Sequence, residues 1–225
     1  MSATALDALA TTRSALHTLA EHVLAPDLHR STGKIGLRRT AGGVGQPEHL
    51  VDGVRRRVRV DGDRLAVTDG DTETWHPLST LGAAADAVGV TLGAGTGAYE
   101  PSTPSAADTS IAVSAEAAAS LSEWFDLVDA ALERFRSGRS ELSPTVVQLW
   151  PEHFDLATSM VEINFGGSPG DEGRPEPYLY VGPWTPRVGD FWNEPYGAAI
   201  GRSEVASIDD AVEFFERGLA QATRR

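Results

Sequence analysis

The sequence lacks cysteine throughout its 225 residues. Disulfide bonds, thiolate metal sites and cysteine nucleophiles are therefore excluded. No apolar run approaches the ~20 residues that a membrane-spanning helix requires. The first residues also lack the basic start and apolar stretch of a secretory signal. These absences favour a cytoplasmic protein without a membrane partner.

Two widespread functional signatures are missing as well. No Gly-x-Ser-x-Gly sequence is present, which counts against an α/β-hydrolase. The glycines at positions 42, 43 and 45 are not followed by Lys and then Ser or Thr, so they do not form a phosphate-binding P-loop. The sequence therefore leaves open whether the protein is an enzyme, and it does not identify a cofactor.

Positive charge is scarce, since 19 Lys and Arg residues face 32 Asp and Glu residues, a net charge of −13. Such a chain repels phosphate backbones, so no nucleic-acid partner is expected. The stretch from Arg30 to Arg64 is different, with nine basic and four acidic residues. It could attract an anion or pair with the chain's own carboxylates, and we favour pairing because charge runs are commonly balanced internally.

Hydrophobic spacing predicts an α+β fold with mostly antiparallel strands and helices packed on one face. A first helix ends at Pro26, and a helix follows near 80–88. Further helices begin after Ser114 and Ser207, both typical N-cap residues. Strands are predicted at 34–38, 55–60, 64–68, 146–150, 156–165, 178–181 and 196–200.

Residues 93–110 are rich in Gly, Ala, Ser, Thr and Pro, which is typical of a linker. They separate an N-terminal α+β half, 1–92, from a C-terminal half, 111–225. Each half has a helix–strands–helix layout. No matching residues establish a duplication, and one compact domain remains the alternative.

The segment from Trp150 to Tyr196 holds nine of the sixteen aromatic residues. Polar side chains and seven prolines are interleaved with them, as in many small-molecule pockets. The alternative is an ordinary aromatic core, since Trp and Tyr pack well. We predict ligand-binding side chains at Trp150, Tyr180, Trp184, Trp192 and Asn193.

His153 and Asp155 are two residues apart, so on a strand both side chains would point to the same face. Asp155 could then orient His153 as a general base, with Glu194 as a further catalytic carboxylate. A metal held with Glu162 or Asp171 is a weaker alternative, because no diagnostic ligand spacing is present. A structural role for His153, in a turn after Pro151, is favoured over both.

Three motifs carry a resemblance: 147–157 (VQLWPEHFDLA), 167–171 (GSPGD) and 176–184 (EPYLYVGPW). With 32–37 (TGKIGL), they resemble a family of uncharacterised actinobacterial proteins over nearly the whole chain. The sequence is more distantly similar to a larger bacterial family of unknown function, from which 143–146 (SPTV) departs by one residue in spacing. The resemblance supports the element boundaries and implies no mechanism.

Two functions follow from these patterns. The first is a small-molecule-binding protein or enzyme with an aromatic, acidic cleft in the C-terminal half. Such a cleft suits a hydroxyl-rich or carboxylate-poor ligand, and a catalyst here would be a hydrolase or isomerase with His153 as base and Asp155 orienting it. The second is a non-catalytic interaction protein that forms a homo-oligomer or binds a partner through the aromatic surface 184–196.

Overall fold

The computed structural model describes residues 3–224, and it confirms the α+β prediction with helices and two antiparallel sheets. The chain forms two compact units. The first unit comprises the chain up to Glu123 together with Leu149–Phe154, and the second comprises Trp124–Gln148 and the chain from Asp155 onward. Within the described residues, no helix is long and apolar enough to cross a bilayer.

The division between units differs from the predicted halves. Residues 93–110, predicted as a linker, belong to the first unit, and the chain enters the second unit inside a helix, between Glu123 and Trp124. Residues 1, 2 and 225 of the predicted halves lie outside the described part. Composition misses the division because a continuous amphipathic helix carries no linker signal.

The first unit begins with a helix that continues past the predicted end at Pro26. α1 (Ala3–Leu19) runs into a π-helical turn (Ala20–Leu24) and then into α2 (Ala25–Thr32). Pro26 stands in the first turn of α2, directly after the π-helical turn. Gly33, with a φ of 70°, ends α2 in the left-handed conformation.

The first sheet has six strands within the described residues, in the order β1-β2-β4-β5-β6, with β3 paired to β4. Val58 and Val60, in the strand predicted at 55–60, are buried. Gly45 lies in β2, where a side chain would collide with Arg59. The elements are β1 (Arg38–Thr40), β2 (Gly43–Gly45), β3 (His49–Val51), β4 (Val54–Asp61), β5 (Arg64–Asp69), β6 (Thr72–Pro77) and α3 (Leu81–Val88).

The basic stretch forms ion pairs inside the first unit. Arg56 binds both oxygens of the buried Asp27 carboxylate, at 3.0 and 3.1 Å, and Asp69 at 2.7 Å. Arg30 reaches the same Asp27 at 2.7 Å. These contacts favour internal pairing over anion attraction for this stretch.

The second sheet has five strands in the order β11-β10-β9-β8-β7, and four of them, β8 to β11, lie wholly in the second unit. The single strand predicted at 156–165 is a hairpin, β8 and β9, joined by the two-residue turn Val161–Glu162. Helices cover one face, where Phe165 contacts Phe135 and Phe215. The elements are α4 (Ala115–Arg136), β7 (Gln148–Trp150), β8 (Asp155–Met160), β9 (Ile163–Ser168), β10 (Tyr178–Pro183), β11 (Ala198–Gly201) and α5 (Ile208–Thr223).

Candidate functional site

The second sheet presents polar and aromatic side chains on the face opposite its helices. Val181 on β10 packs against α5 at Gly218, so the alternation of the strand puts its neighbour Tyr180 on the other face. The register aligns Tyr180 with Gly166 on β9, and Gly166 with Ala157 on β8. Asp155 is two residues from Ala157 and therefore shares the face of Tyr180.

The Tyr180 hydroxyl donates a hydrogen bond to Asp155 Oδ2. The ring crosses β9 at Gly166, where a Cβ atom would lie 2.5 Å from the ring and hydroxyl of Tyr180 and 2.7 Å from the Leu156 carbonyl oxygen. Only glycine leaves room for the ring there. The structure thus brings together two of the predicted site residues, although they lie 25 positions apart in sequence.

A second set of polar contacts extends from Tyr178. Its hydroxyl donates to Asp171 Oδ2 at 2.7 Å, and the guanidinium carbon of Arg174 lies 5.3 Å from the centre of its ring. Arg174 also forms an ion pair with Glu194. Tyr196 lies close to Tyr178 and is 46% exposed. We call the whole group the tyrosine–carboxylate cluster: Asp155, Asp171, Arg174, Tyr178, Tyr180, Glu194 and Tyr196.

The tyrosines of the cluster are neutral hydrogen-bond donors. Burial raises the pKa of Tyr180 well above its ordinary value, and the Asp155 carboxylate raises it further. Burial also raises the pKa of Tyr178, with a further contribution from its hydrogen bond to Asp171. The pKa of Tyr196 is raised by burial and by Glu194, while Arg174 opposes the increase. Because these hydroxyls keep their protons, the negative charge of the cluster resides on its carboxylates.

Loop 169–177 is held in shape by Asp171. Its Oδ1 accepts hydrogen bonds from the backbone N–H groups of Gly173 and Arg174, both at 2.8 Å. Its backbone N–H donates to the carbonyl oxygen of Arg174 at 2.8 Å. One carboxylate therefore fixes both the Tyr178 hydroxyl and the turn that presents Arg174.

His153 and Asp155 do not lie on one strand, as their predicted pairing required. His153 lies in a turn at 151–154, and β8 begins only at Asp155. Phe154 between them has a φ of 53°, so the two-residue alternation of a strand does not apply. His153 belongs to the first unit and Asp155 to the second. The turn after Pro151 is the position that the structural interpretation of His153 predicted.

Four predicted ligand-binding residues are not members of the tyrosine–carboxylate cluster. Trp150 is half-buried and belongs to the first unit. The Trp184 ring is 65% exposed and donates to Asn164 Oδ1 at 3.1 Å. Trp192 packs edge-on against Phe191, 4.9 Å between ring centres. Asn193 bonds both backbone groups of Ala199, at 2.9 and 3.0 Å, and so extends the pairing of β11.

A buried carboxylate in the first unit was missed by sequence reasoning. Glu21, in the π-helical turn, accepts hydrogen bonds from both backbone N–H groups and both hydroxyls of Ser102 and Thr103. A pair of His17 and Glu21 facing solvent was the ordinary expectation for an (i, i+4) spacing. The four contacts identify Glu21 as the anchor of loop 93–110, and they explain why that loop belongs to the first unit.

Metal binding has no geometric support in residues 3–224, since no three His, Asp or Glu side chains are grouped closely enough to hold an ion. No family model matches the chain, and no curated protein or solved structure is significantly similar to it. The resemblance to an actinobacterial family therefore stays a prediction, and function has to be argued from the cluster itself.

Proposed function

We propose that the protein binds a small organic cation, a guanidinium or ammonium compound, at the tyrosine–carboxylate cluster of the second unit. One observation carries the proposal: the cluster already holds a cation of its own chain. The Arg174 guanidinium lies over the Tyr178 ring and pairs with Glu194. A ring face and a carboxylate are the two groups that attract an organic cation.

The charges of the cluster support this ligand class. Arg174 is its single cation, against carboxylates at Asp155, Asp171 and Glu194. The net charge of −13 also attracts cations from solution. An acidic, aromatic site in the C-terminal half was the leading hypothesis from sequence. The proposal keeps that location and replaces the hydroxyl-rich ligand by a cationic one.

In this proposal the Arg174 side chain occupies the site in the free protein, and the ligand displaces it. Its side chain is 33% exposed and its loop is irregular, so it can leave at modest cost. Exposed ion pairs contribute about 0–1 kcal/mol, and an exposed cation–π contact about 0.5–1 kcal/mol. Removing Arg174 should therefore strengthen cation binding by roughly tenfold.

The experiment is a calorimetric titration with arginine amide. Arg174→Ala should bind it about tenfold more tightly than the unsubstituted protein, because no internal guanidinium competes. Adding Glu194→Gln to Arg174→Ala should remove most of that affinity. The matched control is Glu213→Gln in the same background, an exposed carboxylate on α5. Equal binding by the Glu194→Gln and Glu213→Gln proteins would contradict the proposal.

Self-association is a second candidate function, favoured by the exposure of surface 184–196. Trp184 is 65% exposed, Val188 96% and Tyr196 46%. Apolar side chains exposed to this extent are typical of contact surfaces. A Trp184→Ser, Val188→Ser double variant should then sediment as a smaller species than the unsubstituted protein. Identical sedimentation at all concentrations would exclude this function for the surface.

A cytoplasmic location also stays a proposal, supported by the absence of cysteine. Fractionation of the cells that produce the protein would test it.

A further inference from the structure

The second unit contains a cleft of about 390 Å³ that is lined by neither the cluster nor the predicted site residues. It lies where the Val161–Glu162 turn, the end of β10 and the end of α5 come together. Its volume falls in the range of about 300–1,000 Å³ typical of small-molecule sites. The lining residues are Val161, Glu162, Ile163, Pro183, Thr185, Arg187, Ala222, Thr223 and Arg224.

Two arginines in this cleft differ from the others of the unit. Arg187 and Arg224 are exposed, and within the described residues neither makes an ion pair, hydrogen bond or ring contact. The other described arginines of the unit have partners: Arg134, Arg136, Arg139 and Arg174 pair with carboxylates, and Arg202 and Arg217 lie over aromatic rings. Two cations without a protein partner at one cleft leave their guanidinium groups available to an anionic ligand.

The polar groups of the cleft limit the charge of that ligand. Glu162 lines it as well, so its three charged side chains sum to one positive charge. The carbonyl end of α5 adds a partial negative charge of about one half, which disfavours an anion. The two positive charges of Arg187 and Arg224 exceed the combined negative charge of Glu162 and the end of α5, so a single negative charge on the ligand is still attracted. A doubly charged phosphate would be opposed more strongly by Glu162 and the helix end.

Four apolar residues also line the cleft, and two of them, Ile163 and Ala222, are buried. Val161, Ile163, Pro183 and Ala222 line the cleft beside the charged groups. A ligand with one negative charge and a small apolar body would contact both the arginines and the exposed apolar side chain of Val161. Thr185 supplies a hydroxyl that can donate to a carboxylate oxygen, whereas the Thr223 hydroxyl already donates to the Leu219 carbonyl at 2.8 Å.

Backbone strain at the rim points to the same place independently. Val161 has a φ of 46° and Glu162 a φ of 62°, both in the left-handed region. This type I′ turn favours Asn-Gly, and a β-branched residue is especially unfavourable there. Residues held in such conformations cluster at binding sites. Here the two strained residues both line the cleft.

We propose that this cleft binds a small monocarboxylate with an apolar body, held by Arg187 and Arg224 against Val161, Ile163 and Pro183. The site is separate from the tyrosine–carboxylate cluster, because none of its lining residues belongs to the cluster. The protein would then bind an acid and an organic cation at different places on one unit.

The test uses benzoate and hexanoate as probes, with benzamide and hexanamide as uncharged counterparts, in titrations followed by NMR. Both acids should shift backbone signals of Val161, Thr185 and Thr223, and the amides should bind at least about tenfold more weakly. Arg187→Gln and Arg224→Gln should each weaken benzoate binding about tenfold. Arg134→Gln is the matched control and should bind benzoate normally.

Three outcomes would overturn the proposal. The first is absence of binding by both acids, and the second is equal binding by acids and amides. The third is inorganic phosphate binding as tightly as benzoate, which would remove the need for an apolar body. The arginine amide titration separates this proposal from the function proposed above, because Arg187→Gln should leave arginine amide binding unchanged.

Discussion

The Tyr180 ring connects three strands by crossing β9 at Gly166 to reach Asp155 on β8. Replacing Tyr180 by Phe keeps the ring and removes only the hydroxyl donor. The buried Asp155 carboxylate then loses a charge-assisted hydrogen bond, so we expect the free energy of unfolding to fall by about 1–3 kcal/mol. Urea denaturation measures the change. Tyr196→Phe is the control, because water can replace the lost contact of a half-exposed hydroxyl, and equal losses in both variants would contradict the prediction.

His17 should make the stability of the protein depend on pH. Burial lowers its pKa below the ordinary value of about 6.5, although Glu21 and the Pro151 carbonyl oppose the shift. Between the folded-state pKa and about 6.5, the unfolded chain binds more protons than the folded one. The contribution is therefore complete above about pH 6.5 and is lost as the pH falls toward the folded-state pKa.

Urea denaturation at about pH 7.5 and about pH 5.5 tests this prediction on both sides of the unfolded-state pKa. His17→Gln should lose less stability on acidification than the unsubstituted protein. His76→Gln, on β6, is the control and should keep the original difference. An unchanged pH dependence in His17→Gln would assign the effect to other groups.

For individual residues, the sequence predicted some members of the site but not their contacts. The aromatic density around Tyr180 was visible, and so were the acidic residues Asp155 and Glu194. The role of Arg174 was not visible, because its contacts depend on the register of β9, β10 and β11. Glu21 was missed because a spacing of four residues alone does not reveal burial in a π-helical turn.

Among the elements, the β8–β9 hairpin carries local strain that substitution can relieve. Replacing Val161 and Glu162 by Asn and Gly matches the residue preferences of a type I′ turn. Each strained residue costs about 1–3 kcal/mol, and the substitution also removes the contacts of the two native side chains. We therefore expect the free energy of unfolding to rise by about 1–2 kcal/mol. Thermal unfolding measures the gain. A decrease in melting temperature would mean that the native side chains stabilise the turn more than the strain destabilises it.

Helix starts were the most predictable elements, and turns without glycine were the least. Ser114 and Ser207 accept hydrogen bonds from Ala117 N–H and Asp210 N–H, as their predicted N-cap roles require. Capping is local, so a few residues determine it. The Val161–Glu162 turn gave no turn signal, and 156–165 was therefore predicted as one strand. The helix was predicted to end at Pro26, because a proline in a first helical turn cannot be told from a terminating proline by sequence alone.

For the whole molecule, the large negative charge predicts salt-sensitive cation binding. Arginine amide should bind Arg174→Ala about three- to tenfold more weakly when ionic strength rises from about 50 to about 500 mM, because added salt screens the attraction. Citrulline amide is the control, as its urea group has the shape of a guanidinium without the charge. Salt-independent binding of arginine amide would show that the overall charge plays no part.

The fold of the first unit requires a short segment encoded far downstream. Leu149 exchanges backbone hydrogen bonds with Leu37 at 2.9 Å in each direction, and Phe154 stacks on His17. During synthesis, the ribosome makes residues 124–148 of the second unit before this segment is available. The N-terminal part therefore cannot complete its backbone pairing at Leu37 until translation has passed Phe154. A gene truncated after residue 110 would leave it permanently without that segment.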